Sequence, residues 1–160
     1  MTALPVRIID AITAFVEDHA ELPSHTTVKY RRAFLTPKEM PCLNVYPVSK
    51  AMAPRGTENL DAVNFISVSW FESGVRETKQ LKADPNLGAS LLTNVSIIEQ
   101  ALMDLWVSGW PLDYPVDAAY ECQPVSVDWQ PPFDVAAGLV EGYSVAVQVM
   151  TIQSRDDLTV

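Results

Sequence analysis

The first apolar pattern along the chain is helical. From Pro5 to about His19, the residues Ile8, Ile9, Ile12, Phe15 and Val16 recur three and four positions apart, which predicts an amphipathic helix with one buried stripe. Pro5 suits the first turn, where its missing N–H costs nothing, and Pro23 stops the element. Alternation follows. Thr26 to Phe34 reads as a strand, with Val28 and Tyr30 on one side and Lys29 and Arg31 on the other. Two prolines make Leu35 to Pro41 a loop. Cys42 to Val48 is a second strand, and Pro47 marks its end or a sheet edge.

Ser49 to Leu60 carries Pro54, Gly56 and mixed charges, and is expected to be an exposed, mobile loop. Ala62 to Glu72 is the clearest strand. Val63, Phe65, Ser67, Ser69 and Phe71 share one face, and Asn64, Ile66, Val68 and Trp70 the other. Apolar residues on both faces predict that both are covered, one by helices and the other by a neighbouring subunit or a loop of the same chain. Gly74 to Ala83 is polar and carries Arg76, Lys79 and Lys82, so a second mobile loop is expected there. Asp84-Pro85 opens a helix that runs to about Val107, with Leu91, Val95, Ile98, Leu102 and Leu105 forming a narrow seam. Beyond a turn-rich link, Glu121 to Trp129 alternates with Val125, Val127 and Trp129 on one side, until Gln130-Pro131-Pro132 breaks it. Glu141 to Gln153 is the last strand, and a short polar tail follows.

Helix, two strands, long strand, helix and two strands make an α+β fold. The expected architecture is one mixed or antiparallel sheet of about four to five strands with both helices on one face. The 160 residues form one domain, 1–160.

Composition narrows the function classes. A net charge of −9 argues against a surface that grips nucleic acid through its phosphates, yet suits one that DNA passes without sticking. No apolar run approaches the roughly 18 residues needed to cross a bilayer. The first residues lack the order of a signal peptide, so synthesis in the cytoplasm, with no membrane partner, is expected. Cys42 and Cys122 read as small buried hydrophobes rather than a disulfide framework.

Chemistry is sparse. His19 and His25 have no metal-ligand spacing, and no serine elbow or glycine-rich phosphate loop is present. Cys42 paired with either histidine, or a carboxylate, can be imagined as a nucleophile, and nothing in the residue order recommends the Cys–His pairing. The expectation is a protein that is not an enzyme and takes no metal or cofactor. Lys29, Arg31 and Arg32 cluster on the first strand, as a solvated face or as a contact for the acidic surface of another chain. Together with Arg55, Trp70, Arg76, Lys79, Lys82, Asp156 and Asp157 they are the candidate subunit or partner interface.

Taken in order, these elements have a likeness. The helix from Pro5 to His19 precedes the basic strand Val28-Lys29-Tyr30-Arg31-Arg32, then Met40-Pro41-Cys42-Leu43-Asn44-Val45-Tyr46-Pro47 and the long strand Val63 to Trp70. The helix Leu91 to Leu102 and a closing hairpin ending in Tyr143-Ser144-Val145-Ala146-Val147-Gln148-Val149 complete the set. In order, length and pattern this resembles the tail terminator, or tail completion, proteins of long-tailed bacteriophages, over nearly the whole chain. The family has no catalytic residues to carry over. The resemblance implies a hexameric ring, located in the virion, that caps the tail tube, joins it to the neck, and lets genomic DNA through without specific binding. Six copies would carry about −54 formal charges, so an acidic lumen would let DNA slide. The partners implied are further copies of the chain, the tail tube protein and a neck protein. A head-to-tail joining (head completion) protein, a monomeric or dimeric adaptor or inhibitor module, and a small hydrolase or transferase stay open as alternatives.

Overall fold

The computed structural model describes residues 2–32, 40–55, 59–74, 85–109, 116, 119–135 and 138–154. Helix α1 (Leu4–His19) places Leu4, Ile8, Ile9, Ile12, Phe15 and Val16 on one buried stripe. Helix α2 (Pro85–Ser108) does the same with Leu91, Val95, Ile98, Leu102 and Leu105. The strands are β1 (Thr26–Lys29), β2 (Cys42–Arg55), β3 (Asn59–Gly74), β4 (Ala119–Val135) and β5 (Gly138–Ser154). They form one five-stranded sheet in the order β1-β2-β3-β5-β4. β1 and β2 pair in parallel, and every other neighbouring pair is antiparallel. The fold is therefore α+β with a mixed sheet, as the element order implies.

Both helices lie on one face of the sheet. Their stripes meet Leu43, Val45, Ile66, Val68, Trp70, Val145, Val147 and Val149 in one continuous core. Strand periodicity selects these residues, since alternate positions on three adjacent strands fall on the same side. At about 25 cal/mol per Å² of apolar surface removed from water, this core is the main source of stability.

The opposite face differs from the expected oily surface. A small second cluster of Cys42, Phe71 and Val140, with Val28 and Met40 against it, occupies one end. At its centre run buried hydroxyls: Ser67 and Ser69 share a hydrogen bond of 2.9 Å, and Ser69 and Ser144 one of 2.7 Å. Val63 and Phe65 are only half-buried there. The three serines satisfy one another across β3 and β5, so the face needs no apolar lid to keep them paired. Beside them the Phe71 ring lies over Gly142, where an added Cβ would come within 2.4 Å of the ring.

Three expectations about elements are corrected. Ser49–Leu60 is strand rather than loop at both its ends: β2 continues to Arg55 and β3 begins at Asn59, with Ala51 opposite Val63 and Pro54 opposite Leu60. β3 is itself backed by β5 as far as Ser154, so the ladder extends past the proline, which an edge strand tolerates. The first strand ends early, at Lys29. Tyr30 takes a left-handed φ of 72°, and its N–H donates to the Val45 carbonyl at 2.9 Å. β4 runs through Pro131 and Pro132, because a register irregularity between Gln130 and Phe133 absorbs them. Of the second expected loop, 74–83, only Gly74 is described, and it closes β3.

Candidate assembly surface

The basic cluster lies at the β1 edge of the sheet. Lys29 Nζ donates to Asp10 Oδ1 at 2.6 Å, and the Tyr30 hydroxyl donates to the same oxygen at 2.6 Å. Burial pushes the Asp10 carboxyl upward, but the hydrogen bonds from Lys29 and Tyr30 and the Lys29 charge outweigh it and leave it below its ordinary value. The hydrogen bond to Asp10 raises Lys29 in turn. Lys29 is therefore committed to clamping β1 on α1 rather than offered to a partner. A further bond, from the Thr27 hydroxyl to Glu17, adds to the clamp.

Arg31 and Arg32 are exposed just beyond that clamp. Their backbone is held from below, because the buried Asn44 side-chain amide donates to the carbonyls of Val28 and Arg31 at 3.0 and 2.9 Å. Lys50, further along β2, donates to Gln153 Oε1 at 2.8 Å, and burial lowers its pKa. Arg55 ends β2 on the same edge. The structure thus brings two segments that carry cations, separate in sequence, to one edge of the sheet.

Trp70 does not belong to any surface, and its place among the interface residues is corrected. It is fully buried, and its indole N–H donates to Glu72 Oε1 at 2.9 Å. Asn94 donates to the same carboxylate oxygen at 2.7 Å, which ties α2 to the end of β3. Its even position on β3 points the ring at the helices. Arg76, Lys79, Lys82, Asp156 and Asp157 lie outside the described residues.

The residues that sequence reasoning missed are apolar. On β4, Val125, Val127 and Trp129 are exposed, Trp129 to 51%. Val127 and Trp129 sit on the helix-bearing side, since Val127 opposes Val145 and Trp129 opposes Tyr143. Yet α2 does not cover them, and the Trp129 indole N–H reaches only Glu141 Oε1, at 2.9 Å. On α2, Leu92, Met103, Trp106 and Val107 are exposed, Val107 to 80%. A shallow, mostly apolar groove follows the same helix along Leu92, Thr93, Ser96, Ile97 and Gln100. The alternation of β4 was visible in the sequence, but nothing local reveals that the second helix stops short of an edge strand.

The candidate thiol and imidazoles are not brought together. His25 stands edge-on to Trp70 at 5.3 Å, on the helix side, whereas Cys42 is in the cluster on the other face. His19 stacks on Phe15 at 3.9 Å. Cys122 is buried in the main core, and burial pushes its thiol up to about 12. Among the described residues, no three His, Cys, Asp or Glu side chains converge as metal ligands, and no helix is long and apolar enough to cross a membrane. No protein-family model matches the chain, and no curated protein matches it either.

Proposed function

We propose that this chain is a structural virion protein of the tail-terminator kind. Copies of it form a hexameric ring on the end of the tail tube, against the neck, and DNA passes through the channel without being gripped. The observation that supports assembly is the exposed apolar surface of β4 and α2, which includes Trp129, Trp106 and Val107, on a chain that is otherwise strongly acidic. Large apolar side chains grouped on the surface of a small protein mark a contact with another chain. The tail and the ring size are what the resemblance to tail terminator proteins implies. A head-to-tail contact repeated by one chain gives a closed ring when the rotation between copies closes.

Light scattering on the purified protein, with negative-stain imaging, tests this reading. Annular particles of uniform subunit number with a central hole are expected. A strictly monomeric protein at high concentration overturns it. Rings that bind purified head connectors but not tail tubes would place the protein on the head side of the joint instead.

A further inference from the structure

The sheet has two edges among the described residues, and they are opposite in charge. β4 forms one. β1, and past Lys29 the outer side of β2, form the other. Residues 119–135 contain Glu121, Asp128 and Asp134 and no Lys or Arg, whereas 26–32 and 47–55 contain Lys29, Arg31, Arg32, Lys50 and Arg55 and no Asp or Glu. Five of the chain's eleven cations thus belong to the segments that form one sheet edge of a protein with net charge −9. Lys29 is held by Asp10 and Lys50 is turned inward to Gln153, whereas Arg31 and Arg32 are exposed at that edge.

β4 can accept a neighbour over a limited stretch. Its register with β5 is irregular between Ala119 and Glu121, between Pro124 and Ser126, and between Gln130 and Phe133. Its prolines, at 124, 131 and 132, have no N–H to give. The longest regular, proline-free run between these irregularities is Ser126 to Gln130. Followed across the sheet, Val127 opposes Val145, then Val68, then Val45, then Lys29. Gln130 leads in the same way through Gly142, Phe71 and Cys42 to Thr26. Val127 to Gln130 of that run and the whole of β1 therefore stand at the same height on opposite edges and match in length. Strand direction fits as well. The pairings make β4 run opposite to β1, so two copies side by side in one orientation meet as an antiparallel pair.

We propose that β4 of one copy, over Ser126 to Gln130, pairs antiparallel with β1 (Thr26–Lys29) of the next copy, so that the sheet continues head-to-tail around the assembly. This rests on the reading that copies of the chain assemble, and adds which edges they use. Each contact joins two different surfaces, and repeating it closes a ring when the rotation between copies allows. Val127 and Trp129 lie on the helix-bearing side, as does Thr27, which pairs with Leu43 and bonds Glu17 of α1. The exposed Trp129 ring is thereby covered by the neighbour's β1 and α1, and Asp128 comes beside its Arg31 and Arg32. An unpaired strand of this length would otherwise invite uncontrolled edge pairing.

Two variants, Thr27→Cys and Trp129→Cys, test the contact with a short bismaleimide. The native thiols are buried, so the introduced ones react. An equal mixture is expected to give a covalent dimer that neither variant gives alone. Self-linking of Trp129→Cys alone would mean a symmetric β4–β4 contact and would overturn the proposal. Oligomers seen by light scattering without any cross-link would overturn the edge assignment and leave the ring intact. A monomeric native protein would remove both.

A charge swap covers the case in which a cysteine variant misfolds. Asp128→Lys, and separately Arg31→Glu with Arg32→Glu, should each weaken self-association on the order of tenfold. Mixed in equal amounts they should restore it, because every junction in an alternating ring is again of opposite charge. Failure of the mixture to recover, with both variants folded by circular dichroism, would overturn the proposal.

Discussion

The two helices use the same sheet face in different ways. α1 is a finished amphipathic helix: its buried stripe faces β2, while Asp10 and Glu17 on its flank bond Lys29, Tyr30 and Thr27. α2 has an equally buried seam, but its outer side keeps Leu92, Met103, Trp106 and Val107 in water. The polar flank of α1 is satisfied within the chain, and the apolar flank of α2 is not. Neighbouring β4 repeats the pattern, with Val127 and Trp129 uncovered beside core residues of β5. The flank of α1 is therefore closed, whereas α2 and β4 carry apolar surface that a second chain can bury. The difference shows how an acidic, well-packed domain can still leave large apolar side chains open to water.

The contrast can be broken at several points. The largest effects should come from the two buried stripes. Ile12→Ala on α1 and Leu102→Ala on α2 remove fully buried side chains, and each is expected to lower unfolding free energy by about 2–5 kcal/mol in urea titrations. A cost well under 1 kcal/mol for either would mean that its helix is not part of a common core. Glu72→Ala should come next, at about 1–3 kcal/mol. It leaves the buried donors of Trp70 and Asn94 without their shared acceptor and loosens the N-terminal half of α2. Glu72→Gln, which keeps an acceptor oxygen, should cost less. If the two substitutions were equal in thermal unfolding, the carboxylate charge rather than the hydrogen bonds would hold the helix.

The α1 clamp is smaller. Lys29→Met should cost less than about 1 kcal/mol, since both partners are partly solvated. Its pH signature is more telling. Asp10 is lowered in the folded state, so its contribution is present at neutral pH and is lost as pH falls through that lowered value. Lys29 is raised, so its contribution holds up to the ordinary lysine range and is lost as pH rises through the raised value. Stability curves of Lys29→Met should therefore converge with those of the native protein at both pH extremes and separate between them. Smallest of all, Val107→Ser on the open flank of α2 should change unfolding free energy by no more than about 0.5 kcal/mol. If it also left the sedimentation profile unaltered, this end of α2 would lie outside any contact between copies.

Much of the architecture was legible because it is periodic. Ile8, Ile12 and Val16 sit where a helix needs them, as do Val145, Val147 and Val149 on a strand, and both helices and the sheet core appear where their spacing places them. The missed elements are those in which partners overrule local signals. Pro54 argued for a loop and Pro131 for a break, yet pairing with β3 and β5 carries β2 and β4 past them. Interface candidates were legible as charge but not as position. Lys29 looked available and is engaged by Asp10, a residue nineteen positions earlier, whereas Trp70 looked available and is the fully buried centre of the core.

By itself, the sequence determined the α+β class, the faces of each helix and strand, the burial of both cysteines and the acidity of the surface. These follow from side-chain chemistry and from the repeat lengths of helix and strand, which act over a few residues. Only the tertiary structure decided the strand order β1-β2-β3-β5-β4, the parallel seat of β1, the hydroxyl-lined second face, and the edge on which Trp129 is left bare. Those features depend on which segments become neighbours. That choice is made by the competition among all the chain's apolar faces for one shared interior, and no single segment encodes it.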